Sequence, residues 1–327
     1  MTRAFPSTAL AADIAAGLAR VETLFESQLS SRFPAVNDLC RHVEGYRGKM
    51  LRPTLVIVCG LAFTDEGEPL KAEHDIIAAT VEMIHMATLV HDDVLDEAAM
   101  RRRGETVNSL RGNETAVMLG DYLISNAFHL CSRAGDPALN LRLGEVTNTL
   151  CEGELVQLSR RHDLALDANT YFEIVRRKTA VLVGAACELG ARLAGASVSE
   201  AQSMRSFGEG LGVAFQIQDD LLDLLGDEAT VGKSIGRDLE KGKLTLPMIL
   251  HISQTTGAER HAALRAIEAK DGAALRTLLV RSGSIDAARA RAIEFVLESK
   301  RGLPATRRAH AHELLLKLAD GVVARDS

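Results

Sequence analysis

Three features of this 327-residue sequence predict an all-α fold. Ala, Leu, Glu and Arg are abundant, Trp is absent and aromatic residues make up only 4%, a composition that favours helix over sheet. Apolar residues recur at three- and four-residue spacing along most of the chain. No alternating run is long enough for a useful strand. The length exceeds that of a usual single-core domain. However, the seven prolines are scattered, and no Ser/Gly/Pro-rich stretch marks a linker. The reading is one domain over 1–327, a large helical bundle around a central cavity.

The elements follow in order. Leu10, Ile14, Leu18, Val21, Leu24 and Leu29 give an amphipathic helix over 8–32. A loop is expected around Pro34. The basic, glycine-containing segment Gly45 to Pro53 then leads into an apolar run, Thr54 to Phe63, with the proline suited to a first helical turn. Residues 74–99 form a long, largely apolar helix whose exit is marked by Arg101-Arg102-Arg103-Gly104. Further helices are expected at 114–133, 139–161, 168–194, 199–226, 244–253, 258–269, 271–282, 284–299 and 305–324.

A net charge of −6 argues against nucleic-acid binding, which normally needs a basic excess. The five cysteines (Cys40, Cys59, Cys131, Cys151, Cys187) are dispersed, odd in number and without CxxC spacing. They read as small hydrophobes in a reducing, cytoplasmic setting. The N-terminal residues carry no signal-peptide core, and the longest apolar run is too short to span a bilayer.

Chemistry concentrates in two copies of one acidic pattern. Asp92-Asp93-Val94-Leu95-Asp96 and Asp219-Asp220-Leu221-Leu222-Asp223 each place carboxylates at i, i+1 and i+4 in an apolar stretch. On a helix, i and i+4 stack, with i+1 about 100° round the barrel, so three carboxylates crowd one edge. Such crowding is costly without a cation. Magnesium, which commonly bridges one or two carboxylates to phosphates, is the natural compensation. One copy alone reads equally well as a solvated acidic face. Two matched copies, each followed by basic residues, point to a metal. Lys49 and Arg52 stand three apart before the first copy, Arg101 and Arg102 follow it, and Lys178 and Thr179 head an apolar helical segment. Lys233 and Lys243 follow the second copy in a glycine-rich loop that lacks the Walker spacing. Cations beside both acidic edges suit a substrate bearing diphosphate.

His85-Met86-Ala87-Thr88-Leu89-Val90-His91-Asp92-Asp93-Val94-Leu95-Asp96-Glu97, Gly120-Asp121-Tyr122-Leu123 and Gln216-Ile217-Gln218-Asp219-Asp220-Leu221-Leu222-Asp223 resemble segments of the all-trans polyprenyl diphosphate synthases. So does Gly48 to Pro53. The resemblance runs in order and spacing from about residue 40 to 250, and more weakly to the end. It implies that Asp92, Asp96 and Asp219 ligate magnesium, about three ions, with Asp93, Asp220 and Asp223 in support. It implies that Arg101, Lys178 and Lys233 hold an allylic diphosphate, and that Lys49, Arg52, His85 and Arg102 hold isopentenyl diphosphate. Thr179 and Gln216 resemble groups whose oxygens steady the carbocation. The implied reaction is ionisation of the allylic diphosphate, attack by isopentenyl diphosphate and loss of a proton. No protein nucleophile is needed, in keeping with the lack of a Gly-x-Ser-x-Gly signature.

Small residues at Ala87 and Thr88, and no insertion in the first acidic motif, favour a medium or long product, geranylgeranyl to decaprenyl. Ala87→Phe is expected to shorten it. Arg103 and Glu105 depart from the family pattern, which has glycine and proline at those positions. The resemblance also suggests a homodimer. Two rival readings remain. A class I terpene cyclase would carry a different second metal motif and more aromatics than the 9 Phe and 3 Tyr here. A non-catalytic subunit of a heteromeric synthase would have lost acidic or basic site residues.

Overall fold

The computed structural model describes residues 8–102, 104–225 and 236–324, so Arg103 lies outside the described residues. Sixteen α-helices are found among them. The first three are α1 (Thr8–Leu29), α2 (Pro34–Glu44) and α3 (Leu51–Phe63). The expected loop at Pro34 is instead the start of α2. Proline at the first helical position loses no hydrogen bond, and Cys40 and Val43, three apart, bury one face. Next come α4 (Ala72–Leu95), two-residue strands β1 (Met100–Arg101) and β2 (Gly104–Glu105), α5 (Val107–Arg111) and α6 (Asn113–Ser132). The strands pair antiparallel, Met100 with Glu105 and Arg101 with Gly104.

The chain continues through α7 (Pro137–Ser159) and α8 (Ala168–Val175), then a π-helical turn (Arg176–Ala180), α9 (Val181–Leu193) and α10 (Val198–Leu225). The single helix expected over 168–194 is thus interrupted. The last six helices are α11 (Arg237–Glu240), α12 (Leu246–Gln254), α13 (Gly257–Glu268), α14 (Gly272–Arg281), α15 (Ser284–Arg301) and α16 (Ala309–Val323). No described helix is long and apolar enough to cross a membrane.

The residues group into two compact units. One holds the described residues up to Thr147 with Leu182–Gly208 and Leu303–Lys317; the other holds Asn148–Val181, Glu209–Gly302 and the described residues from Leu318 on. In the first unit α4 packs against α1, α3 and α6. Its Ile77, Val81, Ile84 and Ala87 are fully buried, which removes apolar surface worth about 1.5–3 kcal/mol for each large side chain.

A charged residue closes this unit from 240 residues away in sequence. Arg308, 9% exposed, donates to the carbonyls of Thr64 at 3.2 Å, Asp65 at 2.6 and 3.1 Å, and Glu68 at 2.6 Å. These carbonyls end α3 and begin the next connection, where no helical partner exists. Arg308→Met keeps the length and removes every donor. It is expected to lower unfolding stability by about 3 kcal/mol, read as a fall in the urea midpoint. An unchanged midpoint would mean that water satisfies those carbonyls equally well.

In the second unit α12 packs on α8 and α15, and α14 joins α13 and α15. The π turn is gripped from two sides by glycines. A Cβ on Gly153 of α7 would lie 2.7 Å from the Lys178 nitrogen, and one on Gly212 of α10 would lie 2.5 Å from the Ala180 Cα. Either contact is closer than side chains tolerate, so both helices approach the turn backbone to backbone.

Candidate active site

In the first unit the acidic motif occupies the last turn of α4. The helix stops because Glu97 turns left-handed, with φ 46°. The Glu97 N–H then bonds to the Val94 carbonyl at 3.2 Å and the Ala98 N–H to the Asp93 carbonyl at 2.8 Å, the paired closure of a Schellman motif. Asp92 and Asp96 lie one turn apart and remain partly exposed. Asp93 does not. It is 2% exposed and accepts from Arg101 Nε at 3.0 Å and Nη2 at 2.9 Å. Asp93 therefore anchors Arg101, a role closer to the supporting one expected of it than to direct ligation.

His91 fixes the same turn sideways. Its Nε2 lies 3.2 Å from the Val117 carbonyl of α6 and 3.5 Å from Asp121. Gly120 makes room, since a Cβ there would sit 2.1 Å from the ring. The Gly120-Asp121 pair of the sequence thus serves the acidic helix by admitting a histidine.

One turn before His85, Glu82 is 3% exposed. Burial pushes its carboxyl pKa up, and the Arg52, Arg47 and Arg102 guanidinium groups oppose that shift. His85 is held well below the usual imidazole range by burial and by Arg52, Arg101 and Arg102. It is neutral at pH 7 and can donate one hydrogen bond. The Arg102 guanidinium lies against Gly48, where a Cβ would fall 2.5 Å from Nη2. Arg47 stacks on Phe25 at 4.0 Å. Its Nε and Nη2 are buried with no hydrogen-bond partner among the described residues. Lys49 is exposed beside them. Several cations around one buried carboxylate leave an excess of positive charge suited to a multiply charged anion. Of Lys49, Arg52, His85 and Arg102, singled out from the sequence, the structure brings Arg52, His85 and Arg102 together around Glu82. Arg47 and Glu82 were missed, although Glu82 stands at helical spacing from His85.

The second unit contains a pocket lined by Lys178, Thr179, Gln216, Asp220, Asp238 and Lys243, among others. The π turn presents Lys178, which pairs with Glu154 and donates to Gln157 at 2.9 Å. A directed relay runs behind it. The Thr179 hydroxyl donates to Gln216 Oε1 at 2.9 Å, Gln216 Nε2 donates to Asp220 Oδ1 at 2.9 Å, and the Tyr171 hydroxyl donates to Asp220 Oδ2 at 2.6 Å. Asp223 accepts the N–H groups of Arg237 at 3.4 Å and Asp238 at 3.2 Å at the start of α11. Lys243 is positioned by a loop in which the His162 N–H meets the Gly242 carbonyl at 2.8 Å. Lys233 lies outside the described residues. Tyr171, Glu154, Gln157 and Asp238 were not foreseen. Tyr171 lies two helical turns before Lys178, but the signal is no stronger than that of a core tyrosine.

Asp220 titrates abnormally. Burial, then Asp238 and Asp219, raise its pKa to about 8, against the bonds from Tyr171 and Gln216. Because folding raises this pKa, its contribution to stability is full below about pH 4 and is lost as pH rises through about 8. In magnesium-free buffer, the thermal-midpoint difference between wild type and Asp220→Asn is expected to shrink steadily across that window. A pH-independent difference would mean that Asp220 ionises normally.

Among the described residues, no three His, Cys, Asp or Glu side chains form a ready-made metal cage. The donor set nevertheless fits magnesium. It is all carboxylate oxygen, with Asp92 and Asp96 stacked on one edge, and magnesium is usually held by one or two carboxylates plus substrate phosphates.

The model of the polyprenyl synthetase family matches residues 33–279. The octaprenyl diphosphate synthase of Escherichia coli (strain K12) is 33% identical over 313 residues, covering 94% of this chain and 96% of that protein. The all-trans-nonaprenyl-diphosphate synthase (geranyl-diphosphate specific) of Rhodobacter capsulatus is 36% identical over 297 residues, covering 90% and 89%. Among solved structures, the polyprenyl synthase from Caulobacter crescentus CB15, complexed with calcium and isoprenyl diphosphate, superposes with a TM-score of 0.90 at 33% identity, covering 97% of each chain.

Proposed function

This chain belongs to the polyprenyl synthetase family, and from that premise we propose how its residues divide the work of a trans-polyprenyl diphosphate synthase. The enzyme condenses isopentenyl diphosphate with an allylic diphosphate, releases diphosphate and elongates a linear medium- or long-chain polyprenyl diphosphate. The observation that carries the division is the pairing of each acidic motif with its own cations. Asp93 is tied to Arg101 in one unit, while Lys178, Lys243 and Asp220 line one pocket in the other.

Asp92 and Asp96 in the first unit and Asp219 in the second would hold magnesium, about three ions in all, which would supply Lewis-acid stabilisation of the leaving diphosphate. The calcium and isoprenyl diphosphate bound to the Caulobacter crescentus relative support a divalent-cation site. Arg101, Lys178, Lys233 and Lys243 bind the allylic diphosphate and stabilise charge as the carbon–oxygen bond breaks. The Thr179 and Gln216 oxygens face the allylic cation; the bond from Thr179 fixes the Gln216 amide so that its nitrogen points to Asp220. Lys49, Arg52, Arg102 and neutral His85 bind isopentenyl diphosphate and orient its double bond. The departing diphosphate accepts the proton lost after condensation.

Ala87 and Thr88 set the ceiling on product length, within geranylgeranyl to decaprenyl. The enzyme works in the cytoplasm as a homodimer, a reading supported by exposed apolar side chains, Leu110 on α5 and Val117 and Met118 on α6. No observation favours a cyclase or a non-catalytic subunit. The test is turnover by the purified chain with magnesium, labelled isopentenyl diphosphate and, separately, dimethylallyl, geranyl, farnesyl and geranylgeranyl diphosphates. A linear ladder with one dominant length is expected. Absence of elongation from every primer by folded protein would overturn the reading.

A further inference from the structure

Tyr171 stands at the wall of the second unit's pocket and has no part in the proposed division of work. It belongs to α8 and is 5% exposed. Its hydroxyl donates to Asp220 Oδ2 at 2.6 Å, while Gln216 Nε2 donates to Asp220 Oδ1 at 2.9 Å. Asp220, itself 5% exposed, thus has each carboxylate oxygen engaged by a donor from a different helix, which holds its plane. The Thr179 hydroxyl completes the row by donating to Gln216 Oε1 at 2.9 Å. Tyr171 and Thr179 come from α8 and the π turn that continues it, and Gln216 and Asp220 lie one turn apart on α10. One segment therefore grips α10 at both ends of the row.

The polarity of the row decides what the pocket offers. A glutamine amide has an acceptor end and a donor end, and a hydroxyl can bond to either. Thr179 alone would leave the amide able to turn over. Asp220 removes that freedom, because an oxygen that accepts from Gln216 must meet its nitrogen. The amide oxygen is then left beside Thr179, with the Thr179 proton committed to it. Thr179 and Gln216 are partly exposed and line the pocket, whereas Tyr171 and Asp220 are buried. Oxygen lone pairs stabilise a developing cation, and an N–H in the same place opposes it.

We propose that Tyr171 is a positioning residue for the ionisation step: by holding Asp220 it fixes the Gln216 amide with its oxygen, together with that of Thr179, toward the allylic cation. This rests on the reading of Thr179 and Gln216 as the groups that face that cation. The other account of Tyr171 is a core tyrosine that merely ties α8 to α10.

Tyr171→Phe separates the two, because it keeps the ring and removes only the hydroxyl. Loss of this one hydrogen bond is expected to lower the single-turnover condensation rate, at saturating substrates and magnesium, about 5- to 20-fold. KM for each diphosphate and the half-saturating magnesium concentration should stay within about twofold. A double-mutant cycle supplies the second readout. In a Gln216→Met background, Tyr171→Phe should add nothing to the loss of rate. A wild-type rate, a loss carried by KM, a rate restored by excess magnesium, or a full further fall in the Gln216→Met background would each overturn the proposal. Wild-type turnover is measured first. A wild type that elongates no primer refutes the synthase reading, whereas an active wild type with an unresponsive Tyr171→Phe variant refutes this inference alone.

Discussion

Asp92→Asn is expected to lower kcat by about 10³-fold or more while leaving the fold intact. The substitution preserves volume and removes one negative charge from the edge proposed to hold magnesium. Groups aimed at developing charge in a reaction contribute about 10²–10³ each when removed singly, and losing an anionic ligand also weakens occupancy of the metal. Asp92 is partly exposed at the end of α4, so its side chain is not buried in the core. Asp96→Asn and Asp219→Asn should behave alike.

Asp93→Asn provides the contrast. Asp93 is 2% exposed and bonded to Arg101. Its neutralisation leaves a half-buried guanidinium without its counter-charge, a change that typically costs about 3–5 kcal/mol. Circular-dichroism melts beside steady-state kinetics read the difference. Asp92→Asn should lose activity with an unchanged melting midpoint, whereas Asp93→Asn should lose both. Equal melting behaviour of the two variants would refute the division of the motif into ligand and anchor.

What could be read from the sequence was what repeats locally. The 3.6-residue period gave most helices, because burial of one face requires it, and the two acidic patterns gave their own stacking. The π turn at Arg176–Ala180 escaped because one extra residue in a helical turn leaves the apolar pattern nearly unchanged. Helix α2 escaped because Pro34 reads as a breaker unless it is recognised as a first helical residue. The anchors of the fold and of the site are long-range pairs. Tyr171 meets Asp220 across 49 positions, Tyr46 meets Val107 across 61, and Arg308 meets Asp65 across 243. Such pairs leave no period, so only the folded chain reveals them. Arg47 is subtler, since a basic residue beside Gly48 and Lys49 looks like more surface charge until its buried nitrogens are seen.

Product length should respond most cleanly at Thr88. Thr88 stands one turn before Asp92 and is partly exposed. Its hydroxyl donates to the His85 carbonyl at 2.7 Å, so the polar atom is turned back onto the helix and the methyl is the outward face. That face suits a growing hydrocarbon chain and can be enlarged without disturbing a hydrogen-bond network. Thr88→Phe is expected to shorten the dominant product by at least one isoprene unit, with little change in melting midpoint. Ala87 differs because it has no exposed surface. A phenyl ring there must displace packed neighbours, at a cost of about 1–3 kcal/mol. Ala87→Phe should therefore shorten the product only with a lowered melting midpoint. Thr88→Ala, which removes the back-bond but enlarges the space, should leave the product as long or longer. Sizing the extracted products of the three variants decides the point. If Thr88→Phe makes products of wild-type length, this turn of α4 does not limit growth.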